Sequence, residues 1–268
     1  MWSSRLVGGY TCLGSISQRL LYALAPALLL VALGCGEDAT SPGSGPEAVP
    51  GAAPTLATAA ATALSFSSLS AGVDHTCGVA TDGRAYCWGS NSSGQLGDGT
   101  RTMRLRPVPV AGGLHFLELR AGDGHTCGIA TDSRAYCWGS GGYGQLGDGT
   151  TTSTQLGPVA VAAGRKFRSI SAGRRYTCAV NFYDVAFCWG DNTWGQLGNG
   201  TTTSSYMTQV RVSGGLTFSG LSTSPLGQHT CGLSTDHRAY CWGYNISGQL
   251  GDGTRTNRLT PTAVLGPS

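Results

Sequence analysis

Eight cysteines in four identically spaced pairs are the residues of this chain with the most chemistry to offer. In each pair the first cysteine follows a threonine, and the second comes after nine further residues and opens a Cys-Trp-Gly triplet. The pairs are Cys77 and Cys87, Cys127 and Cys137, Cys178 and Cys188, and Cys231 and Cys241. Paired thiols form disulfides in an oxidising compartment, and as thiolates they bind zinc. The pattern therefore allows two kinds of site.

The residues around each pair predict a β-hairpin. In the first unit, two alternating runs within residues 75–88 flank a Thr-Asp-Gly-Arg turn. With that turn centred on Asp82, Cys77 lies directly opposite Cys87. Opposed Cα atoms in antiparallel strands are about 4.5–5.5 Å apart, a separation that a disulfide can span. The same register places an aliphatic pair beside each cysteine pair: Val79 with Ala85, Ile129 with Ala135, Val180 with Ala186, and Leu233 with Ala239.

Zinc is the competing interpretation of the same residues. His75, His125 and His229 each lie two residues before a first cysteine and share its face of the strand, so strand geometry does not exclude a metal. In the third unit, however, Tyr176 replaces the histidine. Zinc thiolates are also less expected outside the cytosol. We predict four disulfides, one within each hairpin, and no metal or other cofactor.

A catalytic group would stand out as a departure of one unit from the others. In no unit do the residues that differ from the other units include a nucleophile, a base and a residue to orient the base. His115 and His237 are unique to their units, and we interpret both as solvated surface residues. We predict no catalytic residue and no enzyme activity.

Each hairpin belongs to a tandem repeat with a period of 50 or 51 residues. Every unit opens with an aromatic and an aliphatic residue three positions apart. The part shared by all four units ends with the motif Gly-Gln-Leu-Gly-(Asp or Asn)-Gly-Thr. Periods of this length are typical of propellers and solenoids. The four units span about 66–115, 116–166, 167–217 and 218–268.

These units resemble the repeat of the regulator of chromosome condensation family, in its exported, cysteine-bearing bacterial variety. The resemblance extends from Phe66 to the C-terminus. It rests on Ala-Gly-x-x-His-Thr-Cys, Tyr-Cys-Trp-Gly and Gly-Gln-Leu-Gly-Asp-Gly-Thr, as in residues 71–100. It implies an all-β fold, a β-propeller-type array of four four-stranded blades. The family usually has seven blades, which leaves open a closed ring, an open arc, a ring completed by a second chain, and a truncated product.

The repeated Gly-Gln-Leu-Gly motif is interpreted as structural. It lacks the alternating carboxylates of a calcium loop and the Lys-Ser/Thr ending of a phosphate loop. We expect its glycines to turn the chain, Leu96 and its counterparts to fill the contact between blades, and Gln95 to bind backbone groups. The fourth unit departs from the pattern, with Ser224-Pro-Leu226 in place of Ala-Gly, and this predicts a terminal blade or a specialised loop.

Function in repeat arrays usually lies in loops where the units differ. Two such segments flank Gly-Gln-Leu-Gly in every unit, and they hold aromatic or apolar residues suited to anchor a protein partner, with arginines for polar contacts. The predicted anchors are Tyr143, Trp194, Tyr206 and Met103, and the predicted polar contacts are Arg101, Arg104, Arg106, Arg255 and Arg258. The alternative is packing at blade edges for the aromatics and solubility for the arginines.

The first 63 residues carry signals for export rather than for a fold. Residues 1–35 place Arg5 and Arg19 before an apolar run and then Gly34-Cys35, in the order of a signal peptide. Cys35 is predicted to be acylated, as in bacterial lipoproteins, and an ordinary cleaved signal is the alternative. Residues 36–63 are rich in Ala, Pro, Gly, Ser and Thr and predict a disordered linker. Without Arg5 and Arg19 the formal charge falls from +3 to +1, which indicates no nucleic-acid partner.

Together these features predict a non-enzymatic binding or scaffold module of the cell envelope, lipid-anchored or secreted. Its contact with a membrane is expected to be by lipid anchor only, its partner a protein at the propeller rim, and self-association to complete a ring is a further expectation. Two alternatives are an enzyme or carbohydrate-binding propeller with a site in the central channel, and guanine-nucleotide exchange by family analogy. Export argues against the exchange activity.

Overall fold

The computed structural model describes residues 63–203 and 205–267. Cys35, the predicted signal peptide and the predicted linker up to residue 62 lie outside the described residues. The described part contains sixteen β-strands in four antiparallel sheets of four strands, each sheet ordered as its strands follow in the chain. This confirms the predicted all-β array of four-stranded blades. The described residues include no helix of the length and apolarity that a membrane crossing requires.

The strands have the following bounds. Blade 1 contains β1 (Phe66–Ala71), β2 (His75–Ala80), β3 (Ala85–Gly89) and β4 (Arg104–Pro109). Blade 2 contains β5 (Phe116–Ala121), β6 (His125–Ala130), β7 (Ala135–Ser140) and β8 (Thr154–Ala160). Blade 3 contains β9 (Phe167–Ala172), β10 (Tyr176–Asn181), β11 (Ala186–Gly190) and β12 (Tyr206–Arg211). Blade 4 contains β13 (Phe218–Thr223), β14 (His229–Ser234), β15 (Ala239–Gly243) and β16 (Arg258–Ala263).

The central hairpin of every blade has the register that the sequence predicts. In blade 1, Cys77 lies opposite Cys87 and Val79 opposite Ala85. All four predicted disulfides are present, with Cα atoms 4.0–4.1 Å apart. In the turn of blade 1, Gly83 adopts a φ of 82°, and the Asp82 carboxylate accepts a hydrogen bond from the backbone N–H of Arg84, just before β3. The structure therefore supports the disulfide interpretation, since each cysteine pair is joined within its own hairpin.

Successive blades pack with unlike faces against each other. The trailing face of blade 1 carries the Cys77–Cys87 disulfide and Leu96, and it meets Phe116 and Trp138 on the leading face of blade 2. Leu96 and its counterparts are fully buried, as predicted. The glycine after Leu96 is required here, because a Cβ at Gly97 would lie 2.6 Å from the indole nitrogen of Trp138. The same arrangement joins blade 2 to blade 3 and blade 3 to blade 4.

The four blades form an open arc. Contacts between innermost strands run from β1 to β5, from β5 to β9 and from β9 to β13. Within the described part of the chain, no comparable contact joins blade 1 to blade 4. Among the described residues, the leading face of blade 1 and the trailing face of blade 4 therefore have no neighbouring blade.

Candidate protein-binding rim

The loops that hold the predicted binding residues lie at one end of the blades. His75 at the start of β2 pairs with Gly89 at the end of β3, and Gly89 pairs with Arg104 at the start of β4. The β1–β2 and β3–β4 connections of a blade therefore share an end, which we call the loop rim. It comprises residues 72–74 and 90–103, 122–124 and 141–153, 173–175 with 191–203 and 205, and 224–228 and 244–257. The β2–β3 turns and the links between blades lie at the opposite end.

Tyr143 forms a contact between two blades on the loop rim. Its backbone N–H donates to the Gln145 side-chain oxygen at 2.8 Å, which fixes the turn. Arg175, in the β9–β10 connection of the next blade, donates to the Tyr143 hydroxyl at 2.8 Å, and its guanidinium carbon lies 4.4 Å from the ring centroid. Arg174 forms an ion pair with Asp123 at 3.9 Å. An exposed tyrosine ring and the Arg175 guanidinium are thus held together.

Trp194 occupies the equivalent turn one blade further along. Its ring packs against Tyr244 of blade 4, with centroids 5.0 Å apart and planes at 65°. Its backbone N–H donates to the Gln196 side chain at 2.9 Å. Both rings are partly exposed. The structure therefore places Tyr143 and Trp194 on adjacent blades of one rim, each supported by a residue of the following blade.

Two of the predicted arginines are engaged inside their own blades. Arg104 and Arg258 lie at the starts of outer strands rather than in loops, and they bind Asp98 at 2.8 Å and Asp252 at 2.6 Å. The Arg258 hydrogen bond lowers the pKa of Asp252 far below its usual range. For Asp98, burial acts to raise the pKa, but hydrogen bonds from Thr100 and Arg104 outweigh it and the pKa is lowered. These two guanidinium groups close the Asp-Gly-Thr loops onto the sheet.

The other predicted residues divide by exposure. Tyr206 begins β12 at the position of Arg104 and hydrogen-bonds Thr201 at 3.1 Å, a bond that lowers the pKa of the tyrosine. Met103 is exposed. The exposed arginines of the set are Arg101, Arg106 and Arg255, of which Arg106 lies on β4.

Sequence reasoning missed Arg174, Arg175 and Tyr244. A signal for them was present, because the third unit alone has two arginines after its Ala-Gly, and Tyr244 stands where two other units have serine. Neither difference could be tied to Tyr143 or Trp194 before the blades were assembled, since each contact joins residues of different repeats.

The innermost strands offer little reactive chemistry. Along the described strands β1, β5, β9 and β13, Glu118 is the one acidic residue and histidine does not occur. Glu118 binds Arg120 at 3.2 Å and accepts a hydrogen bond from the Ile170 backbone, and its pKa is raised by burial. Within residues 63–203 and 205–267, no three His, Cys, Asp or Glu side chains are grouped to hold a metal.

The buried histidines serve the contacts between blades. The Thr126 hydroxyl donates to the Gln95 carbonyl at 2.8 Å, so its oxygen accepts from His75 Nε2 at 2.8 Å. This arrangement requires the neutral Nε2–H tautomer and leaves the buried Nδ1 without a partner. Burial lowers the pKa of His75 to about 4, although Asp74 acts to raise it. His125 forms the same bond to Thr177, and burial lowers its pKa to about 3.

Comparison with known proteins agrees with this architecture. The chain is 29% identical over 211 residues to the ultraviolet-B receptor UVR8 of Arabidopsis thaliana, covering 74% of this chain and 34% of UVR8. Its fold resembles Prp20p of Saccharomyces cerevisiae, with a TM-score of 0.68 and 20% identity over 80% of this chain and 52% of that one. Yeast RCC1 bound to Kap60 gives a TM-score of 0.67 and 19% identity over 76% and 49% of the two chains. The chain thus spans about a third of UVR8 and about half of the yeast propeller.

Family models identify the repeat itself. Two models of the regulator of chromosome condensation (RCC1) repeat match, one at residues 66–95 and 118–145, the other at 82–129, 132–180 and 236–268. Together they cover residues 66–180 and 236–268, which is more than half of the chain. This protein belongs to the RCC1 repeat family.

Proposed function

We propose that this chain is a non-catalytic protein-binding module that presents the loop rim to a protein partner in an oxidising compartment outside the cytosol. One observation carries the proposal. Two aromatic clusters, Tyr143 with Arg175 and Trp194 with Tyr244, lie on adjacent blades at positions where the repeats differ. Tyrosine, tryptophan and arginine are the residues that most often dominate the energy of protein interfaces.

The solved relatives support a protein as the partner. One yeast RCC1 structure is of a complex with Kap60, and another study of Prp20p concerns its binding to Gsp1p and histones. Kap60, Gsp1p and histones are partners of the yeast proteins. For this chain, the chemistry of the rim suits a partner that offers an apolar surface edged by carboxylates, because the Arg175 guanidinium lies against the Tyr143 ring.

The compartment follows from the cysteines. Four disulfides indicate an oxidising environment. We further propose that residues 1–35 direct export and that acylation of Cys35 anchors the chain to the cell envelope, with residues 36–63 as the tether. No described feature favours nucleotide exchange or a central-channel site, so neither is proposed.

The test compares two pairs of aromatic residues at opposite ends of the blades. Tyr143→Ala with Trp194→Ala removes the rim anchors, and Phe182→Ala with Tyr183→Ala removes exposed aromatics from the β10–β11 turn. Partners captured from a crosslinked envelope extract are identified by mass spectrometry, and the purified partner is then titrated by calorimetry. We expect the rim variant to weaken binding by at least about 30-fold, as loss of an interface hot spot does.

The control variant should bind as the wild type does. Equal binding by the rim variant, with unchanged thermal unfolding, would refute the assignment of the loop rim. Loss of binding in both variants would place the contact elsewhere.

A further inference from the structure

The contacts between adjacent blades follow one rule that repeats three times. A glutamine carbonyl on the trailing face of each blade accepts two hydrogen bonds from the next blade, one from a tryptophan indole and one from a threonine hydroxyl. The indole bonds measure 2.9 Å and join Trp138 to Gln95, Trp189 to Gln145, and Trp242 to Gln196. The hydroxyl bonds measure 2.8–2.9 Å and join Thr126, Thr177 and Thr230 to the same three carbonyls.

A backbone hydrogen bond extends the rule to the outer strands. The glycine of each Asp/Asn-Gly-Thr loop donates its N–H to a carbonyl of the next blade's outer strand. These bonds measure 2.9–3.0 Å and join Gly99 to Leu156, Gly149 to Met207, and Gly200 to Leu259. The donors and acceptors are therefore fixed by position in the repeat, with the trailing face and the leading face in complementary roles.

On the leading face of blade 1, the tryptophan and the threonine at these repeat positions make none of these bonds within the described residues. Trp88 and Thr76 are half-buried, whereas their counterparts in the other blades are fully buried. Neither makes the corresponding bond within the described residues. The apolar residues are uncovered as well, since Leu69 is 59% exposed where its counterpart Leu119 is 2% exposed, and Leu105 is 89% exposed.

The trailing face of blade 4 carries the other half unused. Gln249 is half-buried, whereas the equivalent glutamines of blades 1 to 3 are buried. Leu233 is 45% exposed, where Ile129 at the same position is 2% exposed. Leu233 lines an open cavity of about 330 Å³ together with Leu221 and Ala239. His229 has no threonine partner in the described chain, unlike His75 and His125.

We propose that a second copy of this chain docks head to tail, with the leading face of its blade 1 on the trailing face of blade 4. The Gln249 carbonyl then accepts from Trp88 and Thr76 of the partner subunit, and His229 donates to that Thr76. Gly253 N–H donates to the carbonyl of Leu105 of the partner subunit. The side chain of Leu69 of the partner subunit enters the region of Leu233, as Leu119 packs against blade 1 in the chain itself.

The fit of the two faces is what selects a second copy as the occupant. Each face leaves unused the groups that the other needs, in the arrangement that the three internal contacts already show. Within the described residues the two faces do not meet, so each can contact a second chain. Two copies of the four described blades give eight, within the range of about 4–8 blades seen in propellers. An unlike-face contact of this kind closes into a ring where its rotation allows and extends as a filament otherwise.

The test places a charge at the centre of either face in the full-length chain. Leu69→Asp alters the leading face and Leu233→Asp the trailing face, and both side chains are exposed enough for the blades to fold around the change. Tyr183→Asp, on the exposed β10–β11 turn, is the matched control. Mass is measured by analytical ultracentrifugation, in detergent where the chain is lipid-anchored, and circular dichroism checks the fold of each variant.

We expect the wild type and the Tyr183→Asp control to have the mass of two chains or of longer assemblies. Each face variant should be monomeric, with a dissociation constant raised at least about 100-fold by the buried unpaired charge. A mixture of the two variants should recover a dimer, because the intact trailing face of the first meets the intact leading face of the second. A contact between two copies of the same face would instead be lost in only one of the two variants, and mixing the variants would not restore it.

Three results would overturn the proposal. The first is a monomeric wild type at about 100 µM protein, which is well above the micromolar dissociation constants of weak complexes. The second is a folded face variant that keeps the wild-type mass. The third is a mixture of the two face variants that stays monomeric. The proposal is independent of the protein partner at the loop rim, because neither altered residue lies on that rim.

Discussion

Thr177 tests whether the hydrogen bonds between blades stabilise the fold. Its hydroxyl donates to the Gln145 carbonyl at 2.9 Å and accepts from His125 Nε2 at 2.9 Å, and the residue is fully buried. Thr177→Val keeps the shape and removes both bonds. Gln145 retains its bond from Trp189, but the His125 N–H loses its acceptor in the interior.

The magnitude follows from those two losses. A buried donor left without a partner costs about 1–3 kcal/mol, and the lost hydroxyl bond costs about 0.5–1.5 kcal/mol more. We expect the free energy of unfolding to fall by about 2–4 kcal/mol. For a folded part of this size the melting temperature should fall by about 5–10 °C.

Thr177→Ser is the matched control. It keeps the hydroxyl and loses one methyl group, which costs about 1 kcal/mol. Urea unfolding under non-reducing conditions, followed by tryptophan fluorescence, compares the two variants. If the valine variant is as stable as the serine variant, these hydrogen bonds do not contribute as we argue, and packing alone holds the blades together.

Three further predictions concern acid, disulfides and anchoring. As pH falls below about 6.5, the unfolded chain binds a proton at His125 while the folded chain, with its pKa lowered to about 3, does not, so stability should decline by up to about 1.4 kcal/mol per pH unit. His125→Tyr, which copies Tyr176 of blade 3, should reduce this dependence of the unfolding free energy on pH in urea titrations between pH 6 and 4. An unchanged dependence would show that His125 is not its source. Replacing Cys127 and Cys137 by alanine removes a disulfide of sequence separation 10 and should lower the unfolding free energy by about 2–3 kcal/mol. A wild-type stability that a reductant does not change would contradict this prediction. Cys35→Ser should abolish incorporation of labelled palmitate, and retained label would exclude acylation at that residue.

The hairpins could be predicted in detail because their information is local. Alternation and a turn centred on Asp82 fix the pairing of Cys77 with Cys87, and this register is observed. The fold class and the role of Leu96 likewise follow from repetition, since one unit must bury its apolar side chains against the next. What repeats four times is visible without any structure.

The rim could be predicted only in outline. Arg104 and Arg258 were expected to contact a partner, but each lies beside an aspartate six residues earlier that binds it within the blade. The contact of Tyr143 with Arg175 joins residues 32 positions apart in different blades, and no local pattern indicates it. The same reason explains why the histidines suggested zinc. The threonine partners of His75 and His125 lie in the next repeat, and no local pattern indicates them.

Gln145 shows how the loop rim and the contact between blades depend on each other. Its side-chain oxygen holds the turn that carries Tyr143, while its backbone carbonyl accepts from Thr177 and Trp189 of blade 3. A change that loosens blade 3 from blade 2 must therefore also shift the turn relative to Arg175, which belongs to blade 3. Thr177→Val should for this reason weaken binding at the rim although Thr177 is buried and touches no partner, whereas Thr177→Ser should not. Wild-type affinity in a folded Thr177→Val variant would show that the rim is positioned within each blade alone.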